Sequence, residues 1–178
     1  ISLLAIALSF AVWYYFKPNI YKVNTSTSPA SPENIIINMH ATVFDSQGQP
    51  TRILSTPELR SYADDTSVLD HPQITIFNES EQPWEIQSVH GRTENNNEKI
   101  TLWQDVVLYQ AASADQPEST ITTSKLDHYP QENMAETDQP ITFQQPGVVV
   151  NSIGMRAYLD TEIIDLLAEV NGYYEQVE

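Results

Sequence analysis

At 178 residues the chain suffices for one domain with its own core plus an appendage, and not for two full domains. Its formal net charge of −16, with eight Lys and Arg in all, argues against nucleic-acid binding, which works by exchanging counterions for cationic side chains. The absence of cysteine removes disulfides, thiolate metal sites, thiol nucleophiles and a lipid-modified N-terminal cysteine.

Residues 1–16 contain no charged side chain and end in Trp13, Tyr14 and Tyr15, just before Lys17 and Pro18. A helix over this run spans about 24 Å against a hydrocarbon core of about 30 Å, so the apolar segment is expected to extend upstream of Ile1 and to carry basic residues there. Indole and phenol rings favour the bilayer interface, which makes residues 1–17 a single N-terminal transmembrane anchor. A cleaved signal peptide is the competing reading, with small residues at Ser9 and Ala11; the aromatic belt followed by Lys17 favours the uncleaved anchor. The acidic residues all lie beyond Lys17 and basic residues are sparse there, so the domain that follows is expected on the outer side of the membrane.

Residues 18–33 are polar, with Pro29 and Pro32, and read as a flexible linker to a domain over 34–178. That domain opens on a β-branched run in which Ile35, Ile37, Met39, Ala41 and Val43 share one face and Asn38, His40 and Thr42 the other. Gly48 supplies a turn. A short β-rich run, apolar on alternate residues, then recurs about every 33 residues, at 69–77, 103–109, 137–143 and in degraded form within 166–174.

Between these copies Trp84, Ile86 and Ser88 alternate with Glu85, Gln87 and Val89, residues 91–98 make a corner, and a strand resumes at 99–103. Loops follow at 111–118 and 130–133, strands at 120–126 and 148–153, and a corner at 144–147. Residues 163–170 fit a helical face as well as a strand, and their place in the repeat favours strand. Paired antiparallel strands with turns about every 8 to 12 residues give an all-β sandwich or jelly roll. Its first and last strands are expected to be open edges.

Catalysis has little support. Asp70 and His71, like Asp127 and His128, are adjacent on strands and so point to opposite faces; His40 and His90 have no motif around them. There is no Gly-x-Ser-x-Gly elbow, phosphate-binding glycine loop or His-Glu-x-x-His helix. No catalytic residue, metal ligand or cofactor is assigned. The alternating apolar residues Ile37, Met39, Ile74, Ile76, Ile86, Leu102, Val107, Ile121, Ile141 and Phe143 either fill a core or line a face open to acyl chains.

The order of short anchor, polar tether, turn glycine and about four β-units resembles the LptC family of lipopolysaccharide export. The likeness covers nearly the whole chain. It rests on Gly48, Arg52 to Ser55, Leu69 to Pro72, the Gln82, Pro83, Trp84 entry, Ile121 to Ser124 and the Pro146, Gly147 corner, and on their order more than on any one of them.

The resemblance implies an OstA/LptA-like antiparallel β-jelly roll, V-shaped with open edges, behind a single N-terminal transmembrane helix. It implies a non-enzymatic component that takes lipopolysaccharide from the inner-membrane ABC transporter into an apolar groove. The groove would be lined by Met39, Ala41, Leu69, Ile74, Ile76, Ile86, Leu102, Val107, Ile121, Ile141 and Phe143. Leu69 stands where the family often has an aromatic residue, and Gly48 and Gly147 match its turn glycines.

An N-terminal edge (Ile35, Ile37, Met39) would pair with LptF of the LptF/LptG and LptB ATPase complex. A C-terminal edge (Val170, Gly172, Tyr173, Tyr174) would pair with LptA. The implied location is the inner membrane, with the domain in the periplasm. The alternative is a membrane-tethered β-scaffold that carries no lipid.

Overall fold

The structure, a computed structural model, describes residues 31–77, 82–94, 98–114 and 116–174; the expected anchor, most of the tether, and Asn95 to Asn97 of the expected corner lie outside them. The described residues are all-β. Eleven strands form one antiparallel sheet: β1 (Asn34–Phe44), β2 (Pro50–Ser61), β3 (Ser67–Asp70), β4 (Gln73–Ile76), β5 (Trp84–Gln87), β6 (His90–Glu94), β7 (Lys99–Gln110), β8 (Ser119–Tyr129), β9 (Met134–Gln145), β10 (Val148–Tyr158) and β11 (Ile163–Tyr174). Neighbours run β11-β10-β9-β8-β7, then β5-β4-β2 in one half and β6-β3-β2 in the other, with β1 beyond β2. No helix among the described residues is long and apolar enough to cross a membrane.

The sheet bends along one line that crosses every strand. β3 and β4 are the two halves of one interrupted strand, pairing with the two ends of β2, and β5 and β6 do the same against β7. In four of the strands that run through unbroken, a residue in the left-handed region marks the bend: Asn38 (φ 53°) in β1, Gln104 (64°) and Asp105 (54°) in β7, Gly154 (78°) in β10 and Glu169 (49°) in β11, with His71 (44°) between β3 and β4. The bends at 38, 71 and 104 are one repeat period apart, and that at 169 lies about two periods further on.

A second device recurs along the line. Thr56, Ser88, Thr123 and Ser152 are buried at the bend, and each donates its hydroxyl to the carbonyl two residues on: Glu58 (2.9 Å), His90 (2.8 Å), Lys125 (3.4 Å) and Gly154 (3.0 Å). A bend leaves carbonyls without ladder partners, and a short hydroxyl side chain satisfies them locally.

The line divides the sheet into two half-sheets that close over a common core. Ile74, Ile76, Trp84, Ile86, Val106, Leu108, Ile121 and Ile141 come from one half; Ile100, Leu102, Leu126, Ala135, Met155, Ala157 and Leu159 come from the other or its connecting turn. Only hydrogen-bonded neighbours bring Cα atoms within 8 Å, as a layer of interdigitated side chains requires.

Three expectations change. The bend at Gln104 and Asp105 shifts the alternation, so Val106 and Leu108 point inward and Val107 lies half-buried on the outer face. Asn38 does the same in β1: Ile36 opposes the buried Leu59 and shares its face, whereas Ile35 and Ile37 lie opposite the outward Arg60 and Glu58. The expected single face of β1 is thus split, with Met39, Ala41 and Val43 inward beyond the bend. Residues 91–94 belong to β6 instead of a corner, because they complete the ladder between β3 and β7. Residues 163–170 are strand, within β11.

Candidate functional site

The expected groove residues fall into three groups. Leu69, Ile74, Ile76, Ile86, Leu102, Ile121 and Ile141 are at most 2% exposed, packed side chain against side chain. Phe143 and Met39 are half-buried and Ala41 is exposed. Val107 faces outward. The middle of the space between the half-sheets is therefore filled by the chain's own core.

The two ends differ from the middle. One inner row runs Ala41, Leu54, Ile74, Ile86, Leu108, Ile121, Phe143, Val150 and Gly172 across nine paired strands. Its central members are sealed, while Ala41 and Gly172 at its ends are exposed and Val150 is partly so. The half-sheets lie skewed: Arg52 on β2 reaches Pro130 at the end of β8, and Gln110 on β7 reaches Glu162 between β10 and β11.

Each end also carries an unpaired edge. Among the described residues β1 pairs with β2 alone and β11 with β10 alone. Ile35 (56%), Ile37 (59%), Val170 (55%), Tyr173 (66%) and Tyr174 (79%) are exposed there, as is Gly172. Gly48 (φ 79°) and Gly147 (φ 74°) sit in the turns that join β1 to β2 and β9 to β10.

The margin opposite the bend is tied by polar contacts. Arg52 Nη2 donates to the Pro130 carbonyl at 2.7 Å. Gln110 and Gln116 donate to the two carboxylate oxygens of Glu162 at 2.9 and 2.8 Å. Beside them His128 is fully buried; its Nδ1 bonds the Met134 carbonyl at 3.1 Å, and burial, with the Arg52 charge second, lowers its pKa to about 4. The ring is neutral at pH 7, so Nδ1 carries the hydrogen and Nε2 the lone pair. Burial also lowers the pKa of Arg52, which nonetheless stays charged.

Sequence reasoning missed these polar residues. Arg52 follows Pro50 and precedes two apolar residues, Ile53 and Leu54, so alternation alone does not say which face it takes. A signal did exist for the bends: buried Ser or Thr recurs at roughly the repeat period.

On the outer face, a cleft of about 790 Å³ against the bends of β7 to β11 is lined by polar groups including Gln104, Asp105, Thr122, Thr142, Asn151 and Glu169, together with the apolar Pro140 and Ile153. No group of three or more His, Asp or Glu able to hold a metal occurs among the described residues.

A family model described as "LptC: Lipopolysaccharide-assembly, LptC-related" matches residues 3–175. Among solved structures, the chain is similar to the "Crystal structure of LptH, the LptA homologous periplasmic component of the conserved lipopolysaccharide transport device from Pseudomonas aeruginosa". The TM-score is 0.51 and the identity 8%, over 82% of this chain and 96% of that chain; at this identity the likeness is one of fold. No curated protein matches.

Proposed function

The chain belongs to the LptC family of lipopolysaccharide-assembly proteins, and from that premise we propose that it is a membrane-anchored conduit, receiving lipopolysaccharide from the inner-membrane transporter and passing it to a periplasmic bridge protein. In this reading residues 1–17 hold a V-shaped jelly roll beside the transporter, facing the periplasm. The observation that carries the reading is the state of the two ends: among the described residues each terminal strand has one neighbour, and beside each the inner apolar row is exposed.

An unpaired strand is a template for another strand, with main-chain hydrogen bonds giving affinity. Pairing of β1 with LptF of the LptF/LptG–LptB complex, and of β11 with LptA, would continue the inner row into its neighbours. The ends of that row are where an acyl chain enters and leaves.

Burying a methylene is worth about 0.8 kcal/mol wherever it is buried, so a lipid gains little by leaving a bilayer for a groove. Extraction is driven elsewhere, by ATP hydrolysis in the transporter, since this chain has no nucleotide motif. The filled middle sets a further condition. Acyl chains pass only when the half-sheets part, exchanging contacts among Leu69, Ile74, Ile86, Leu102 and Ile121 for contacts with lipid.

The same packed middle favours a second reading, a tethered scaffold that pairs through its edges and carries nothing. Mass spectrometry of lipid extracted from the purified full chain separates the two. Recovery of lipid A in stoichiometric amount supports the conduit, and its absence supports the scaffold.

A further inference from the structure

Arg52 differs from every other Lys and Arg among the described residues. Arg60, Arg92, Lys99, Lys125 and Arg156 lie on the outer face, each against a carboxylate: Glu58, Glu94, Asp127, Asp127 and Glu136. Arg52 points between the half-sheets, in the row it shares with Ile76 and Trp84, and has no carboxylate partner among the described residues. A partly buried cation without a counter-charge is costly, and in a chain of net charge −16 counter-charges are not scarce.

The surrounding polar atoms are also unpaired. Among the described residues, three buried side-chain nitrogens lack a hydrogen-bond partner: Arg52 Nε, Trp84 Nε1 and His128 Nε2. Trp84 lies two strands from Arg52 on the same inner face. His128 comes from the facing half-sheet, close enough for the guanidinium to disfavour its imidazolium. Native interiors rarely leave such groups unsatisfied, and here all three belong to one margin of the core.

We propose that Arg52, Trp84 and His128 form a site for a phosphate monoester on a glycolipid headgroup, held at the margin opposite the bend while the acyl chains lie inward. The proposal rests on the conduit reading and deepens it. The donor set fits the class: Arg Nε–H and Trp Nε1–H only donate, and the free His128 Nε2 accepts. A phosphate monoester retaining its last proton offers acceptor oxygens to the first two and a P–OH to the third, whereas a diester has no such hydrogen. Arg52 is partly exposed and bonded to Pro130 through Nη2, so its guanidinium turns from the carbonyl to the phosphate as the margin opens.

The test uses the full chain in detergent micelles, with hexa-acyl lipid A bearing both phosphate monoesters, the same lipid after phosphatase treatment, and inorganic phosphate. The phosphorylated lipid is expected to bind about tenfold more tightly, the worth of one charge-assisted contact. Arg52→Gln should bring that affinity down to the value for the dephosphorylated lipid, whose own affinity stays unchanged. Trp84→Phe should remove part of the difference, and Arg52→Lys should retain part, with a thermal transition that controls for folding.

Equal binding of the two lipids by the wild type overturns the site and leaves the conduit standing, as does an Arg52→Gln that weakens both alike. Failure to bind either lipid overturns the conduit reading and the site with it. Binding of inorganic phosphate with the same dependence on Arg52 overturns the headgroup assignment.

Discussion

Thr123 Oγ1 donates to the carbonyl of Pro140 at 3.0 Å and so ties β8 to β9 at the point where both strands change direction. The same hydroxyl lies 3.4 Å from the Lys125 carbonyl on its own strand. Thr56 repeats the arrangement between β2 and β3, its one hydroxyl hydrogen shared between the carbonyls of Asp70 at 2.5 Å and Glu58 at 2.9 Å. Buried hydroxyls at these positions hold the bend that makes two half-sheets from one sheet. Thr123→Val keeps the shape and leaves the carbonyls unsatisfied, which costs about 1–3 kcal/mol. Urea denaturation should show this as a lower midpoint with an unchanged slope; a loss below about 0.3 kcal/mol would mean that the backbone alone sets the bend.

Gly154 supplies the bend of β10 at φ 78°, and a Cβ there would lie 3.1 Å from Leu167 Cδ1 and 3.3 Å from the Thr137 carbonyl oxygen. Gly48 has a similar φ of 79° with nothing within 4 Å. Both alanine variants carry the left-handed strain, of order 1–2 kcal/mol, and only Gly154→Ala adds the crowding. Thermal melts should rank Gly154→Ala below Gly48→Ala, and equal losses would show that the contacts at Gly154 relax freely.

The all-β class and most of the strands were legible from β-branched alternation and proline-led entries, whereas the polar run at 91–94 reads as a corner and is strand. The side of the sheet that each residue faces was legible only up to the bends. Val107, Ile35 and Ile37 are ordinary members of alternating runs. What moves them is a left-handed residue at Gln104, Asp105 or Asn38; Asn and Asp adopt this conformation more readily than other non-glycine residues, yet most of them in a chain do not, so their presence alone does not locate a bend. Arg52 was illegible for another reason: charge normally means surface, and only the register with Ile76 and Trp84 reveals that it points inward.

His128 makes stability depend on pH in a defined window. Its pKa falls from 6.5 to about 4 on folding, first through burial and then through Arg52. Between these values the unfolded chain binds the extra proton, so stability contributed by the neutral ring is complete above about pH 6.5 and is lost as pH falls toward 4. The shift amounts to about 3 kcal/mol at most. Urea midpoints of His128→Gln should depend less on pH across this window than those of the wild type, and parallel pH profiles would contradict the assignment.

As a conduit, the chain receives acyl chains on its inner row when lipid is present. Photocrosslinking with a benzophenone residue at Ala41, Phe143 or Val107 of the full chain, in membranes containing the transporter and lipopolysaccharide, tests it most directly. Ala41 and Phe143 lie on the inner row near its two ends, and Val107 lies on the outer face of the same half-sheet. ATP-dependent lipopolysaccharide adducts are expected at 41 and 143 and none at 107. Adducts at none of the three, or equally at 107, would contradict the conduit.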